Sequence, residues 1–126
     1  EVPGLRGLRV FSPQAVEARG KHLEMLESAG AKIRRLQVYS IEKCKQPQRP
    51  SDDIDYVTFF SGRSLESFVE QVEEARHYLL GRKLVVIGPI TAARAVELGL
   101  RVDIVAAHAH FESMIDSMGS DARVER

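Results

Sequence analysis

The sequence predicts an α/β fold, a mainly parallel sheet of about five strands with helices on both faces. Three observations carry this. Strand-like and helix-like segments alternate along the whole chain. Leu84 to Ile87 is an unbroken apolar run, as expected of a parallel strand covered on both sides. Around it, Lys83 to Ala106 reads as strand, tight turn, short helix and strand, with hardly a residue left for linker.

Each element follows in order. The first strand is Leu8 to Ser12. A helix from Ala15 to Ala29 turns Val16, Leu23 and Leu26 inward and stops at Gly30. Ala31 to Tyr39 is the second strand, where Leu36 and Val38 alternate with Gln37 and Tyr39 across two faces. Ile41 to Asp53, with Pro47 and Pro50, is long for an internal connection and marks the one plausible boundary. Ile54 to Phe60 is the third strand. From Ser64 to Leu80, the stripe Leu65, Phe68, Val69, Val72, Ala75 and Leu79 repeats at helical spacing. Next, Gly88 permits a sharp turn, Pro89 suits the first helical position, and Gly99 ends the helix before Val102 to Ala106. The last helix, Phe111 to Met118, buries Phe111, Met114, Ile115 and Met118. The expected organisation is a strand-helix-strand unit over 1–40, a linker over 41–53, a main lobe of strand-helix repeats over 54–118, and a tail over 119–126.

Composition narrows the function. Lys plus Arg equal Asp plus Glu at 18 each, so no net field favours nucleic acid or an anionic membrane. A ligand rich in negative charge must be held by local groups. The single Cys44 excludes an internal disulfide framework and fits a reducing, cytoplasmic setting. No run is long enough to span a membrane, and Glu1-Val-Pro-Gly-Leu-Arg-Gly7 is no signal peptide. Because the sequence opens without Met, a fragment or a processed chain is among the expectations.

Two strand-to-helix turns resemble each other, Phe60-Ser-Gly-Arg-Ser64 and Gly88-Pro-Ile-Thr91. Each offers a hydroxyl, a small residue and amide donors at a helix start, a cradle for carboxylate or phosphate. The competing reading is plain helix capping. In an open α/β sheet both turns fall at the carboxyl ends of strands, where ligands bind. His108-Ala-His110 invites a metal, but no Cys, Asp or Glu completes a set, and the pair reads as polar residues before a helix. Asp52-Asp-Ile-Asp55 lacks the Gly and Glu of a calcium loop. Cys44, between Lys43 and Lys45, has no His partner to make it a nucleophile. Phosphate-loop, dinucleotide and nucleic-acid signatures are missing.

Taken in order, Leu36-Gln-Val-Tyr39, Ile54-Asp-Tyr-Val-Thr-Phe-Phe-Ser61, Val86-Ile-Gly-Pro-Ile-Thr-Ala92 and Gly99-Leu-Arg-Val-Asp103 resemble the carboxyl-terminal half of uroporphyrinogen-III synthase, over Leu8 to Met118. The resemblance implies a flavodoxin-like sheet and a lyase of tetrapyrrole (haem) biosynthesis that needs no cofactor and no metal. That enzyme closes hydroxymethylbilane with loss of water and inverts the last pyrrole. Its substrate carries two carboxylates on each of four pyrroles, so neutral amides and hydroxyls at helix starts can hold it without a basic protein. By this resemblance Tyr39 matches the cleft tyrosine that assists departure of the hydroxyl. Thr91 matches the second threonine of a Gly-x-Thr-Thr turn, and Ser61 the serine that ends a strand. Tyr39 and Thr91 are therefore the catalytic candidates. Ser61, Gly62, Arg63, Ser64, Gly88 and Ser12 are the substrate-binding ones.

Three departures stand out. Ile90 replaces the first threonine, His110 stands where the family often has a threonine capping the last helix, and Ser12 to Arg19 lacks a Gly-Gly-Arg pattern. They motivate a rival reading, a non-catalytic module of the same fold that binds a tetrapyrrole or another small anion. A receiver-like signalling domain ranks last, because Ser12 and Ser61 occupy the places of its acidic residues. The family enzyme has about twice this length, in two lobes with the substrate between them. Strands one and two then belong to one lobe and strands three to five to the other. The half either folds back on itself, exchanges elements with a second copy in a homodimer, or works with a missing amino-terminal half.

Overall fold

The computed structural model describes residues 4–18 and 20–125; expectations that fall on residues 1–3, Arg19 and Arg126 lie outside them. Two units are present, Glu1–Cys44 and Lys45–Arg126. All five strands are parallel to their neighbours, in one two-stranded and one three-stranded sheet. The sheet is thus split rather than continuous.

In the first unit β1 (Arg9–Ala15) pairs with β2 (Lys32–Tyr39), and α1 (Lys21–Ser28) connects them. Two expectations are corrected here. β1 runs past Ser12 through Pro13, which a strand with a free edge tolerates because the missing N–H deprives no neighbour. The helix is correspondingly shorter than Ala15 to Ala29. The Val16 N–H donates to the Tyr39 carbonyl at 2.8 Å, so Val16 prolongs the sheet and its side chain is exposed, not inward. Leu23 remains the buried anchor of α1, with Ala15 and Ala31. Arg35 reaches Glu27 of α1 at 3.5 Å, which assigns Leu36 and Val38 to the opposite face. That face is open: Phe11, Leu36 and Val38 are all exposed.

In the second unit β3 (Tyr56–Phe59), β4 (Lys83–Val86) and β5 (Ile104–Val105) lie in that spatial order. The helices are α2 (Gly62–Gln71), α3 (Ala75–Leu80), α4 (Pro89–Glu97) and α5 (Phe111–Glu125). Alternation along β4 sorts the core. Leu84 and Val86 join Phe59, Leu65, Tyr78 and Ala95 on one side, and Val85 joins Ala106 and Met114 on the other. Each such aliphatic side chain contributes about 1.5–3 kcal/mol by leaving water. Helices therefore cover both faces of this sheet, as predicted.

Several other boundaries move. The single helix expected from Ser64 to Leu80 is two, because Glu74 adopts a left-handed conformation (φ 52°). An unbroken helix would have stacked Glu70, Glu73 and Glu74 at repulsive spacings of three and four. β3 is trimmed at both ends, leaving Ile54 and Phe60 exposed. β5 loses its first residues because the Asp103 carboxylate, not a strand carbonyl, accepts the Leu84 N–H at 2.8 Å.

The last helix continues through the expected tail to Glu125, pinned at Asp121 by the Tyr56 hydroxyl (2.8 Å) and the Lys83 ammonium (3.0 Å). Its inner face is also rotated. Ser113 and Met114 are buried, while Phe111 and Ile115 are exposed. The Ser113 hydroxyl accepts the His108 N–H at 2.9 Å, and this bond turns Ser113 inward. Pro89 at the first position of α4 and Gly99 at φ 75° match the sequence reading.

Candidate functional site

The carboxyl-terminal edge of β3 and β4 gathers most of the predicted site. β3 feeds the first turn through Phe60. Ser61 is the N-cap of α2; its hydroxyl oxygen accepts the Ser64 N–H at 3.1 Å, and the Ser64 hydroxyl donates to the Ser61 carbonyl at 2.9 Å. Both serines are thus engaged in capping. Gly62 lets Arg94 approach closely, since a Cβ there would lie 3.1 Å from its Cγ. Arg63 stands exposed in the same turn.

The second turn differs. Gly88 caps α4 with no side-chain bond, and Pro89 has no N–H, so the Ile90 and Thr91 amides head the helix without a capping side chain. Ile90 is 87% exposed and Thr91 only 5%. Thr91 therefore packs its side chain inside, and the group that this turn offers outward is backbone N–H. Such a helix start favours an anionic oxygen.

A third segment, residues 107–110, completes the edge. Phe111 meets Phe60 edge-on at 5.1 Å between ring centres, and Ala109 lies 3.5 Å from where a Cβ on Gly88 would stand. These contacts seat the loop between both turns. His110 caps α5: its Nδ1 accepts the Ser113 N–H at 3.2 Å, and its carbonyl accepts the Met114 N–H at 3.2 Å. The rings of His108 and His110 stack 5.8 Å apart. Among the described residues, no three of His, Cys, Asp and Glu converge as metal ligands.

Arg94 joins the helices behind the turns. It donates to Glu66 of α2 and, at 2.7 Å, to Glu97 of α4. Its hydrogen bonds to Glu97 and then to Glu66 hold its pKa above the usual guanidinium value. Being neutralised twice, it positions helices rather than holding a ligand. Sequence reading missed Arg94, the Phe60–Phe111 pair and the capping by His110. Glu97 three residues after Arg94 was the legible signal for the first.

The remaining candidates belong to the first unit. Tyr39 ends β2 with its side chain outward, 58% exposed. Ser12 is opposite Arg35 in mid-strand, not at a strand end, because β1 runs on to Ala15. It lines no edge.

A cleft of about 540 Å³ opens at the other end of the three-stranded sheet, beside Asp55, Arg82, Lys83 and Arg101. Its cations are already matched: Arg82 with Asp52, Lys83 with Asp121 and Arg101 with Asp103. The chemistry of anion binding therefore favours the edge of Gly88, not this hollow.

Comparison with known proteins adds to the geometry. The family model described as uroporphyrinogen-III synthase HemD matches residues 3–116. A solved structure, uroporphyrinogen-III synthetase from Helicobacter pylori 26695, is similar with a TM-score of 0.69 at 18% identity. The match covers 92% of this chain and 55% of that one, so the chain spans little more than half the length of its structural relative. Among proteins of curated function, none matches.

Proposed function

We propose, since this chain belongs to the uroporphyrinogen-III synthase family, that it forms one half of an enzyme cyclising hydroxymethylbilane to uroporphyrinogen III. The observation that carries the reading is the uncapped α4 start beside the Phe60–Phe111 pair. Amides at Ile90 and Thr91 hold a carboxylate, and the aromatic edge receives a flat pyrrole. The Tyr39 hydroxyl assists the leaving hydroxyl as a hydrogen-bond donor. Catalysis is then chiefly positional: the linear chain is folded so that the inverted ring is attacked at its substituted carbon. Thr91, buried, acts through its amide and by fixing the helix start.

A second half completes the cleft, supplied by another copy of the chain or by a separate amino-terminal half. The open face of Phe11, Leu36 and Val38 supports that need, because parallel sheets are ordinarily covered on both sides. Exposed Cys44 suits the reducing cytoplasm as the setting. No helix among the described residues is long and apolar enough to cross a membrane.

Turnover of hydroxymethylbilane by an active preparation tests the residues. Tyr39→Phe with Thr91→Ala should slow it at least tenfold, a loss of about 1.4 kcal/mol or more of transition-state stabilisation. Unchanged turnover would remove both residues from the site.

A further inference from the structure

We infer that the chain pairs with a second copy of itself, the outer face of α5 in one copy lying on the open face of β1 and β2 in the other. That open face is apolar along Leu36 and Val38 and basic at its other end. There the register sets Arg9 directly opposite Lys32, and Phe11 directly opposite Arg34. Residues opposite each other, and residues two apart along a strand, share a face. Three cations therefore crowd around the Phe11 ring and line a hollow of about 390 Å³. All three are exposed, and none meets a carboxylate among the described residues. Arg35, by contrast, points to α1 and is matched by Glu27. Like charges directly opposite on neighbouring strands destabilise a sheet. The cover that suits this face is thus both apolar and acidic.

The outer face of α5 carries that chemistry. With Ser113 and Met114 turned inward, Phe111 and Ile115 are exposed one turn apart, and Glu112 and Asp116 are exposed beside them at the same spacing. Glu112 has only the His110 ring near it, at 3.3 Å, and neither carboxylate meets a Lys or Arg among the described residues. The exposed apolar residues of α4, Ile90 and Val96, are six apart and fall on different sides of that helix. Dimensions agree as well. The 15 residues of α5 span about 22 Å, and the 8 of β2 about 26 Å. Glu112 and Asp116 are about 6 Å apart along the helix, and Lys32 and Arg34 about 7 Å apart along the strand. The same polarity runs through the sequence. Glu1–Cys44 has 8 Lys and Arg against 5 Asp and Glu, whereas Lys45–Arg126 has 10 against 13. Two copies related by a two-fold axis make the contact twice, which doubles the area that one helix on a small sheet buries.

Sedimentation equilibrium over micromolar concentrations reads the pairing. The unaltered chain should form pairs that added salt weakens. Lys32→Glu with Arg34→Glu should weaken them at least about tenfold, and so should Glu112→Lys with Asp116→Lys, each chain keeping its circular dichroism and melting profile. Mixed in equal amounts, the two altered chains should pair with each other, because one contact then joins two natural faces and the other two reversed ones. Should one variant lose its fold, the other is read against the unaltered chain. Pairing that neither reversal weakens, or that the mixture fails to recover, would overturn the inference. A monomer at every concentration would overturn it too, and would leave the hydroxymethylbilane reading standing with a separate amino-terminal half as the second part.

Discussion

Replacing Tyr78 tests the core that supports the proposed edge. Tyr78 is fully buried, its hydroxyl donates to the Ser51 carbonyl at 2.8 Å, and the Arg82 guanidinium lies 3.9 Å above its ring. Arg82 in turn donates to the Tyr78 and Asp52 carbonyls, fastening the segment before β3 onto α3. Tyr78→Phe removes one hydrogen bond whose acceptor residue is exposed to water, a loss of about 0.5–1.5 kcal/mol. For a unit of this size that lowers Tm by about 2–10 °C. Tyr78→Ala also removes the ring, at about 3–5 kcal/mol, and the cation–π contact, at about 1–2 kcal/mol. A loss of that size rivals the whole stability of a small unit, so Lys45–Arg126 should be unfolded at room temperature. Circular dichroism melts of the three proteins decide the matter. Equal losses for Phe and Ala would refute the reasoning, since packing rather than the hydroxyl is held to dominate.

Other tests address single contacts. The Tyr56 hydroxyl, and then Lys83, holds the Asp121 carboxyl below its usual pKa. A group depressed by folding stabilises above its unfolded pKa and loses that contribution as pH falls through the folded value, hence below about pH 4. Asp121→Asn should flatten this part of the acid dependence in melts taken from about pH 5 to 2. Glu74→Gly relieves a left-handed side-chain residue and should raise stability by about 0.5–1 kcal/mol, read as a higher urea midpoint; a lower midpoint would contradict the strain. Ser61→Ala should cost about 1 kcal/mol through the lost cap, and Ser64→Ala less, because its backbone donor remains.

The second sheet was legible because β4 is an apolar run between strong signals, with Pro89 and Gly99 marking both ends of α4. The Gly88 turn followed from those signals, and the Phe60–Ser64 turn from its own serines and glycine. Other boundaries depended on side chains acting in place of backbone, which periodicity does not report. Asp103 took a ladder position, Ser113 rotated α5, and Asp121 extended it. Glu74 broke a stripe whose apolar residues stayed inward regardless, with Leu65, Val72, Ala75 and Leu79 all buried. The first strand ran past Ser12 because Pro13 is tolerated at a free edge, where no neighbour needs its N–H.

The most direct measurement feeds freshly made hydroxymethylbilane to the chain over a range of protein concentrations and separates the uroporphyrinogen isomers. The account predicts isomer III above the spontaneous isomer I background, with a rate that rises faster than concentration if two copies must meet. Restoration of isomer III only on adding an amino-terminal half would identify the partner instead. Isomer I alone from the folded chain, with and without such a half, would contradict the proposed function.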